Sequence, residues 1–397
     1  MNQRVYVTGL GAVSPVGLDL DSTWESLIHG KSGINQISSF ETSELLTTIA
    51  AEITDFDPIG ILGLKESARM DRFVQLACVA SLEAVSNSNL EINSSNCNRI
   101  SVNIASGIGG IITLSEQIQV MDSRGPRRVS PFLVPMMLPD MASGQVSMLL
   151  GAKGPNYSAV SACSSSADSI GLALESVRRG DVDIAIAGGA EAAICPIGIA
   201  GFSSCKALSK RNEDPQKASR PFDAERDGFV LGEGAGILIL ESESSVSQRG
   251  VEPIAEIAGY GSTADAHHIT QPAPEGEGGA RAMQLALNQA KTQPRDLSYI
   301  NAHGTSTPLN DKYETMAMKT VLKENSYDIP ISSTKSMTGH LLGASGALEA
   351  VISVMSIKNS IIPPTINLDN PDIECDLDYT PHVAAQKPIS AVMSNSF

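Results

Sequence analysis

Cys163 stands between the strand-like run NYSAVSA and a helical pattern that puts Ile170, Leu174 and Val177 on one face. Its neighbours Ala162, Ser164, Ser165 and Ser166 are small enough to let a substrate approach closely. A thiol on a strand-to-helix turn meets the positive end of a helix. The expectation is a lowered thiol pKa and free N–H groups able to stabilise an oxyanion. A cysteine taken at random is more often a buried core residue, but the strand–turn–helix setting favours a nucleophile here. Two of the six histidines share that kind of position. His303 lies in NAHGTSTPLND directly after the strand-like LSYI, and His340 follows Lys335 by five residues, just before a glycine-rich helix start. Each histidine alone would more often be a satisfied structural residue. A cysteine, two histidines and a lysine, all at element ends, point to acyl transfer joined to carbanion chemistry. A thiolate would hold an acyl group while neutral imidazoles hydrogen-bond a developing enolate.

The elements that must position these groups alternate in type. Short β-branched runs (RVYVTGLGAV, NRISVNIASG, DVDIAIAGGA, GAGILILES, AEIAGYG and LSYINAHG) are separated by longer helical patterns, one near residues 21–29. This order predicts an α/β fold with mainly parallel, buried strands. A weak internal repeat is visible: VYVTGLGAVSP is echoed by IAEIAGYGSTAD, SVNIASGIGG by SYINAHGTST, and the segment 161–180 by the segment 332–351. Two copies of one βα unit would set the cysteine of the first opposite the histidines of the second. The expected division is 1–252, carrying Cys163, and 253–397, carrying His303, Lys335 and His340.

Composition narrows the function classes. The 397 residues are 42% hydrophobic and 4% aromatic, so the core must rest on aliphatic, alanine and glycine packing. A net charge of −16 argues against sequence-independent nucleic-acid binding, which needs cations to displace phosphate counterions. No apolar stretch approaches the ~20 residues of a membrane span, and no signal-peptide h-region follows the start. The six cysteines (78, 97, 163, 195, 205 and 375) form no CxxC pair, and no histidine stands at zinc-ligand spacing. Five are expected to be buried reduced thiols, and the compartment a reducing cytosol. The runs SGIGG and GEGAG lack the strand–GxGxxG–helix arrangement of a nucleotide site.

The chain resembles the elongating β-ketoacyl-[acyl-carrier-protein] synthases of type II, from VTGLGAVSPVG through SGIGG, SPFLVP, GGAEA, SRPFDAERDGFVLGEGAG, NAHGTSTPLND, SSTKSMTGHLLGASGALEA and PPTINLDNPD to the terminal SNSF. The resemblance implies a thiolase-like fold with a duplicated five-layer α-β-α-β-α architecture. It implies decarboxylative condensation of an acyl group on Cys163 with malonyl carrier, in fatty-acid elongation. His303 and His340 would bind the malonyl thioester and stabilise the enolate, with the identity of any general base left open. Lys335 would sit behind them in an ion pair with Asp311 or Glu349. Thr270, Thr305 and Thr307 match positions that contact the phosphopantetheine arm, although loop-capping hydroxyls are the plainer reading. Ile108 and Phe202 match the acyl-tunnel lining. Asn301, Glu349 and Asn395 match a structural cation site of some relatives, but no metal is expected as part of the chemistry, and no cofactor beyond the carrier's own arm.

The resemblance further implies a homodimer and an acidic carrier protein as partner. Two acidic partners meet through a local basic patch. Lys65, Arg69, Arg72, Arg124, Arg127, Arg128 and Lys206 are the candidates, each equally readable as a solvated surface cation. One departure stands out. The family continues past NSF with a Gly-Phe-Gly-Gly loop, which supplies a second oxyanion N–H and a phenylalanine gate, and with a final strand. This sequence stops at Phe397. The corresponding expectations are a ~10²–10³ loss in rate and an unpaired strand edge. Three rivals share parts of the pattern: a polyketide ketosynthase, a non-catalytic chain-length-factor partner, and a coenzyme-A-dependent thiolase. Cys163 with both histidines argues against the second, and the HGTSTP and KSMTGH pairing with Lys335 argues against the third.

Overall fold

Strand β1, Val5–Val13, lies so close to helix α1, Arg72–Asn87, that a Cβ on Gly9 or Gly11 would overlap the carbonyl oxygens of Ala84 and Ala80. Glycine at both positions lets strand and helix backbones touch. Later in the chain the same device recurs. Gly259 and Gly261 press against the carbonyl oxygens of Ala286 and Ala282 on another helix, α3, Glu277–Ala290. The repeat read between VYVTGLGAVSP and IAEIAGYGSTAD is therefore a repeat of packing as well as of letters.

The computed structural model describes residues 3–397. Beside β1 stand β2 (Ile100–Ala105), β3 (Ile184–Glu191), β4 (Gly234–Ser242) and the short β5 (Ala255–Glu256), in the order β2-β3-β4-β1-β5. A second sheet holds β6 (Tyr299–Asn301), β7 (Ile331–Ser332) and β8 (Val392–Ser394), in the order β8-β6-β7. Helix α1 covers one face of the first sheet. Helices α2 (Ser165–Arg179) and α5 (Ser345–Asn359) fill the space between the sheets, and α3 with α4 (Pro308–Leu322) covers the outer face of the second. The layers run α-β-α-β-α, as the resemblance implies.

Strand direction departs from expectation. Both pairings of the second sheet are parallel, but in the first only β2 with β3 is parallel, while β3–β4, β4–β1 and β1–β5 are antiparallel. The apolar runs predict parallel strands, yet what they report is cover on both faces. Along β4, Ile237 and Ile239 pack with Phe73, Leu76 and Ala80 of α1, while Leu238 and Leu240 pack with Leu174, Leu348 and Val351 of α2 and α5. A strand covered on both faces is apolar throughout, whichever way its neighbours run.

Local signals account for the helix starts. Asp71 caps α1 by accepting the Phe73 N–H, and Pro308 opens α4, where its missing donor costs nothing. The helix read near 21–29 is Leu20–Ile28. Helices α2 and α5 each follow a 3-10 turn, Ala162–Ser164 and Leu342–Ala344, entered by a residue with positive φ: Ala162 at 53° and Leu342 at 49°. The structural equivalence pairs Ala162 with Leu342 and Ser165 with Ser345. The sequence echo of 161–180 in 332–351 thus finds the right segments in a shifted register. Four of the remaining cysteines are buried as expected, whereas Cys205, just past the helix Pro196–Ser204, is exposed. Among the described residues no helix is long and apolar enough to cross a membrane.

Candidate active site

The turn that carries Cys163 faces the turn that carries His340, and both lie where α2 and α5 meet between the sheets. Sγ of Cys163 is 3.2 Å from Nε2 of His340. On the other side of that ring, Nδ1 accepts the Leu342 N–H at 3.2 Å and lies 2.9 Å from the Ser345 hydroxyl. A backbone N–H can only donate, so Nδ1 is the acceptor and Nε2 carries the proton, aimed at the sulfur. The His303 ring stands almost perpendicular to that of His340, centroids 5.3 Å apart. Its backbone N–H donates to Glu314 Oε1 at 2.7 Å, and its ring Nδ1 is buried without a partner.

Electrostatics make both rings neutral. Burial holds the His303 and His340 pKa values well below the ordinary histidine value, and the Lys335 ammonium lowers them further. Neutral imidazoles are what hydrogen-bonding to a developing enolate requires. The thiol departs from expectation: burial pushes Cys163 up to about 11, and Lys335 and the residue's own N–H only partly oppose it. Loss of water outweighs the helix N-terminus here. With Nε2–H aimed at the sulfur, the His340 ring as held donates to Cys163 and does not take its proton, so the thiol rests protonated.

Lys335 is 2% exposed and pairs with Glu349, not with Asp311. Asp311 instead accepts the N–H groups of Phe222 (2.8 Å) and Ser306 (3.2 Å) and faces Arg226 at 3.6 Å. It braces the loops around the site at a distance from the lysine. The buried side chain of Asn301 and Oε2 of Glu349 lack partners, while Asn395 donates to Glu314. Oxygens of this kind suit a hard cation or a water.

Ile108 and Phe202 pack in the same apolar cluster as Cys163, Ile194 and Leu342. Phe229 joins them, 5.5 Å from Phe202 and 5.1 Å from the His340 ring. Thr305 and Thr307 come together, hydroxyls 2.9 Å apart, at the entry to α4. Thr270 lies on an exposed loop, and the hydrogen bonds described for its N–H and hydroxyl go to His268. Of the basic candidates, Arg72 is consumed by an ion pair with Glu233 at 2.7 Å and is no free docking cation. Lys65, Arg127, Arg128 and Lys206 are exposed, and no ion pair is described for any of them. Arg69 lies over the Phe132 ring at 5.0 Å, against the segment that follows Arg128.

Sequence reasoning missed Glu314, which accepts the N–H groups of His303 and Gly304 (2.7 and 2.8 Å) and which burial pushes up to about 7. The signal was present. Glu314 shares a helical face with Ala317, Met318 and Val321, and a carboxylate on an apolar stripe calls for a partner. Glu191 in GGAEA and Phe229 in GFVLGEGAG carry no sign of a role in the sequence. A cavity of about 700 Å³ opens beside the Cys163–His340–His303 cluster, along Ser164, Asp168, Tyr260, Glu314 and Phe397.

Comparison with known proteins agrees with this geometry. Residues 2–245 match the profile described as beta-ketoacyl synthase, N-terminal domain, and residues 254–369 match beta-ketoacyl synthase, C-terminal domain. Over 395 residues the chain is 52% identical to a 3-oxoacyl-[acyl-carrier-protein] synthase 2 of Staphylococcus aureus (strain COL), covering 100% of this chain and 95% of that protein. A protein of the same name from Synechocystis is 50% identical over the same shares. Among solved structures, a type II polyketide ketosynthase in complex with its acyl-carrier protein superimposes with a TM-score of 0.92 at 35% identity, covering 100% of this chain and 96% of that one.

Proposed function

This chain belongs to the beta-ketoacyl synthase family, and on that premise we propose that it elongates fatty acids by condensing an acyl group held on Cys163 with malonyl-[acyl-carrier-protein]. The observation that carries the reading is the Cys163–His340–His303 constellation: one thiol facing two neutral, buried imidazoles backed by a lysine.

Loading exchanges thioesters: the Cys163 sulfur attacks the acyl carbonyl, the carrier thiol leaves, and the Cys163 proton passes to that thiol. The malonyl thioester then enters, and its carbonyl oxygen accepts hydrogen bonds from the two imidazoles. The bond to the carboxyl carbon breaks, its electron pair becomes the enolate, and carbon dioxide departs. The enolate carbon attacks the acyl carbonyl, the C–S bond to Cys163 breaks to release the 3-oxoacyl carrier, and the Cys163 thiolate left behind takes a proton from water. Electrons balance without any oxidant, so the reaction calls for no redox cofactor. Two neutral donors aimed at the enolate oxygen stabilise charge as it develops. A hard cation held by Asn301 and Glu349 would offset buried carboxylate charge behind the histidines.

The carrier-protein partner is supported by the complex captured for the structural neighbour, and the proposed docking residues are Lys65, Arg69, Arg127, Arg128 and Lys206. Thr305 and Thr307 are proposed to line the path of the phosphopantetheine arm. A homodimer is supported by the exposed apolar side chains of Leu114, Ile118 and Met121 on one helix, with Val134 and Met148 elsewhere. Six free cysteines fit a reducing cytoplasm. Fatty-acid rather than polyketide work is supported by the higher identity to the synthase 2 proteins, 52% against 35%.

Acyl carrier and malonyl carrier supplied together should yield the 3-oxoacyl carrier by intact-protein mass spectrometry, with one carbon dioxide per product. Acylation of Cys163 without carbon dioxide release would replace this reading with that of a non-condensing partner.

A further inference from the structure

Glu191 ends strand β3 and is fully buried. Its carboxyl group accepts four hydrogen bonds from two places far apart in sequence. Oε1 takes the Ser106 hydroxyl at 2.6 Å and the Ile108 N–H at 3.3 Å. Oε2 takes the Gly107 N–H at 2.7 Å and the Gly343 N–H at 3.0 Å. Three of these are backbone donors that can do nothing else. Ser106 accepts the Gly109 N–H at 2.8 Å, which turns its own proton toward Glu191. Four donors on its two oxygens favour the carboxylate, against burial, which raises its pKa. No salt bridge to it is described among the described residues, so its charge rests on those four donors. Burying an anion with no counter-cation is costly, but an apolar residue in its place would leave three buried N–H groups without an acceptor.

What the carboxylate joins gives it a purpose. The Ser106–Ile108 loop carries Ile108, which packs with Cys163 and Leu342. Gly343 follows Leu342, whose N–H donates to His340 Nδ1 and selects the tautomer that aims Nε2–H at Cys163. The two loops meet so closely that a Cβ on Gly343 would overlap the Gly107 nitrogen. We propose that Glu191 is a positioning residue of the condensing site: its carboxylate pins the Ser106–Ile108 loop to the Leu342–Gly343 turn, and through that turn it holds His340 in the Nε2–H tautomer facing Cys163. The inference rests on the condensing function proposed above and adds a residue to it.

The test uses the full chain with Glu191→Gln, Glu191→Asp and Ser106→Ala. Glutamine keeps the shape but turns an NH2 group against backbone N–H donors; aspartate keeps the charge at shorter reach. Carbon dioxide release from malonyl carrier, the rate of Cys163 alkylation by iodoacetamide across pH, and near-ultraviolet circular dichroism are read together. Glu191→Gln should lower carbon dioxide release about tenfold or more. Its alkylation plateau at high pH should be kept and the alkylation midpoint displaced downward, since an anion near the thiol is gone. Glu191→Asp should recover part of the release. Release within about twofold of wild type, or release and alkylation lost in equal proportion, overturns the proposal. If Glu191→Gln does not fold, Ser106→Ala decides: reduced release with alkylation kept supports the role, and unchanged release overturns it. A wild type that alkylates but releases no carbon dioxide defeats the condensing function instead. The alkylation midpoint then decides for Glu191, and an unmoved midpoint in Glu191→Gln overturns its role.

Discussion

Replacing Lys335 with methionine keeps the length of the side chain and removes the one cation that pairs with Glu349. Lysine and glutamate are 2% and 3% exposed at their side chains, so no water replaces the lost partner. The carboxylate left behind takes up a proton in the folded state. Each pH unit over which the variant keeps that proton and the wild type has lost it costs the variant about 1.4 kcal/mol. The sign follows from the direction of the shift. In the wild type burial outweighs the attraction of Lys335 and already pushes Glu349 up to about 7, so both proteins hold the proton below that pH and the variant's extra deficit opens only as pH rises through about 7. Urea unfolding followed by Trp24, the single tryptophan and 5% exposed, gives the difference from wild type at each pH. Adding Glu349→Gln to Lys335→Met should flatten the pH dependence, because nothing is left to titrate. A deficit relative to wild type that does not grow between pH 7 and 8.5 would refute the buried ion pair as drawn.

Three further outcomes are expected. Mass-spectrometric mapping after incubation with acyl carrier should place the acyl group on Cys163, and Cys163→Ala should abolish condensation; label on another cysteine would contradict the assignment. His303→Ala or His340→Ala should leave loading of Cys163 measurable while carbon dioxide release falls by about a hundredfold, the cost of one donor to a developing oxyanion. Parallel loss of both steps would show that the rings are not reserved for the enolate. Phe222 is fully buried and stacked on Tyr379 with centroids 3.6 Å apart, so Phe222→Ala should lower stability by about 3–5 kcal/mol in urea titration.

Chemistry confined to one segment was legible in the sequence. The strand–turn–helix around Cys163 and the histidines after LSYI and in the KSMTGH run depend on residues a few positions apart. Residue types at such short range are constrained by local backbone geometry. The repeat was legible for the same reason, since Gly9 with Gly11 and Gly259 with Gly261 each serve one strand lying on one helix.

Whatever depended on a partner distant in the chain was decided by folding. Asp311 and Glu349 stood as alternative partners for Lys335, both implied by the resemblance alone. Asp311 turned toward Arg226 and the Phe222 and Ser306 N–H groups, and Glu349 alone reached the ammonium. The thiol pKa followed burial, a property of the assembled layers, and so overrode the local helix N-terminus. Strand direction escaped as well, since apolar runs register cover on both faces and not the course of the neighbouring chain. Glu191 is the extreme case: as a letter in GGAEA it has no visible task. Its task arises when residues 106–108 and Gly343 bring their N–H groups and one hydroxyl to a single carboxylate.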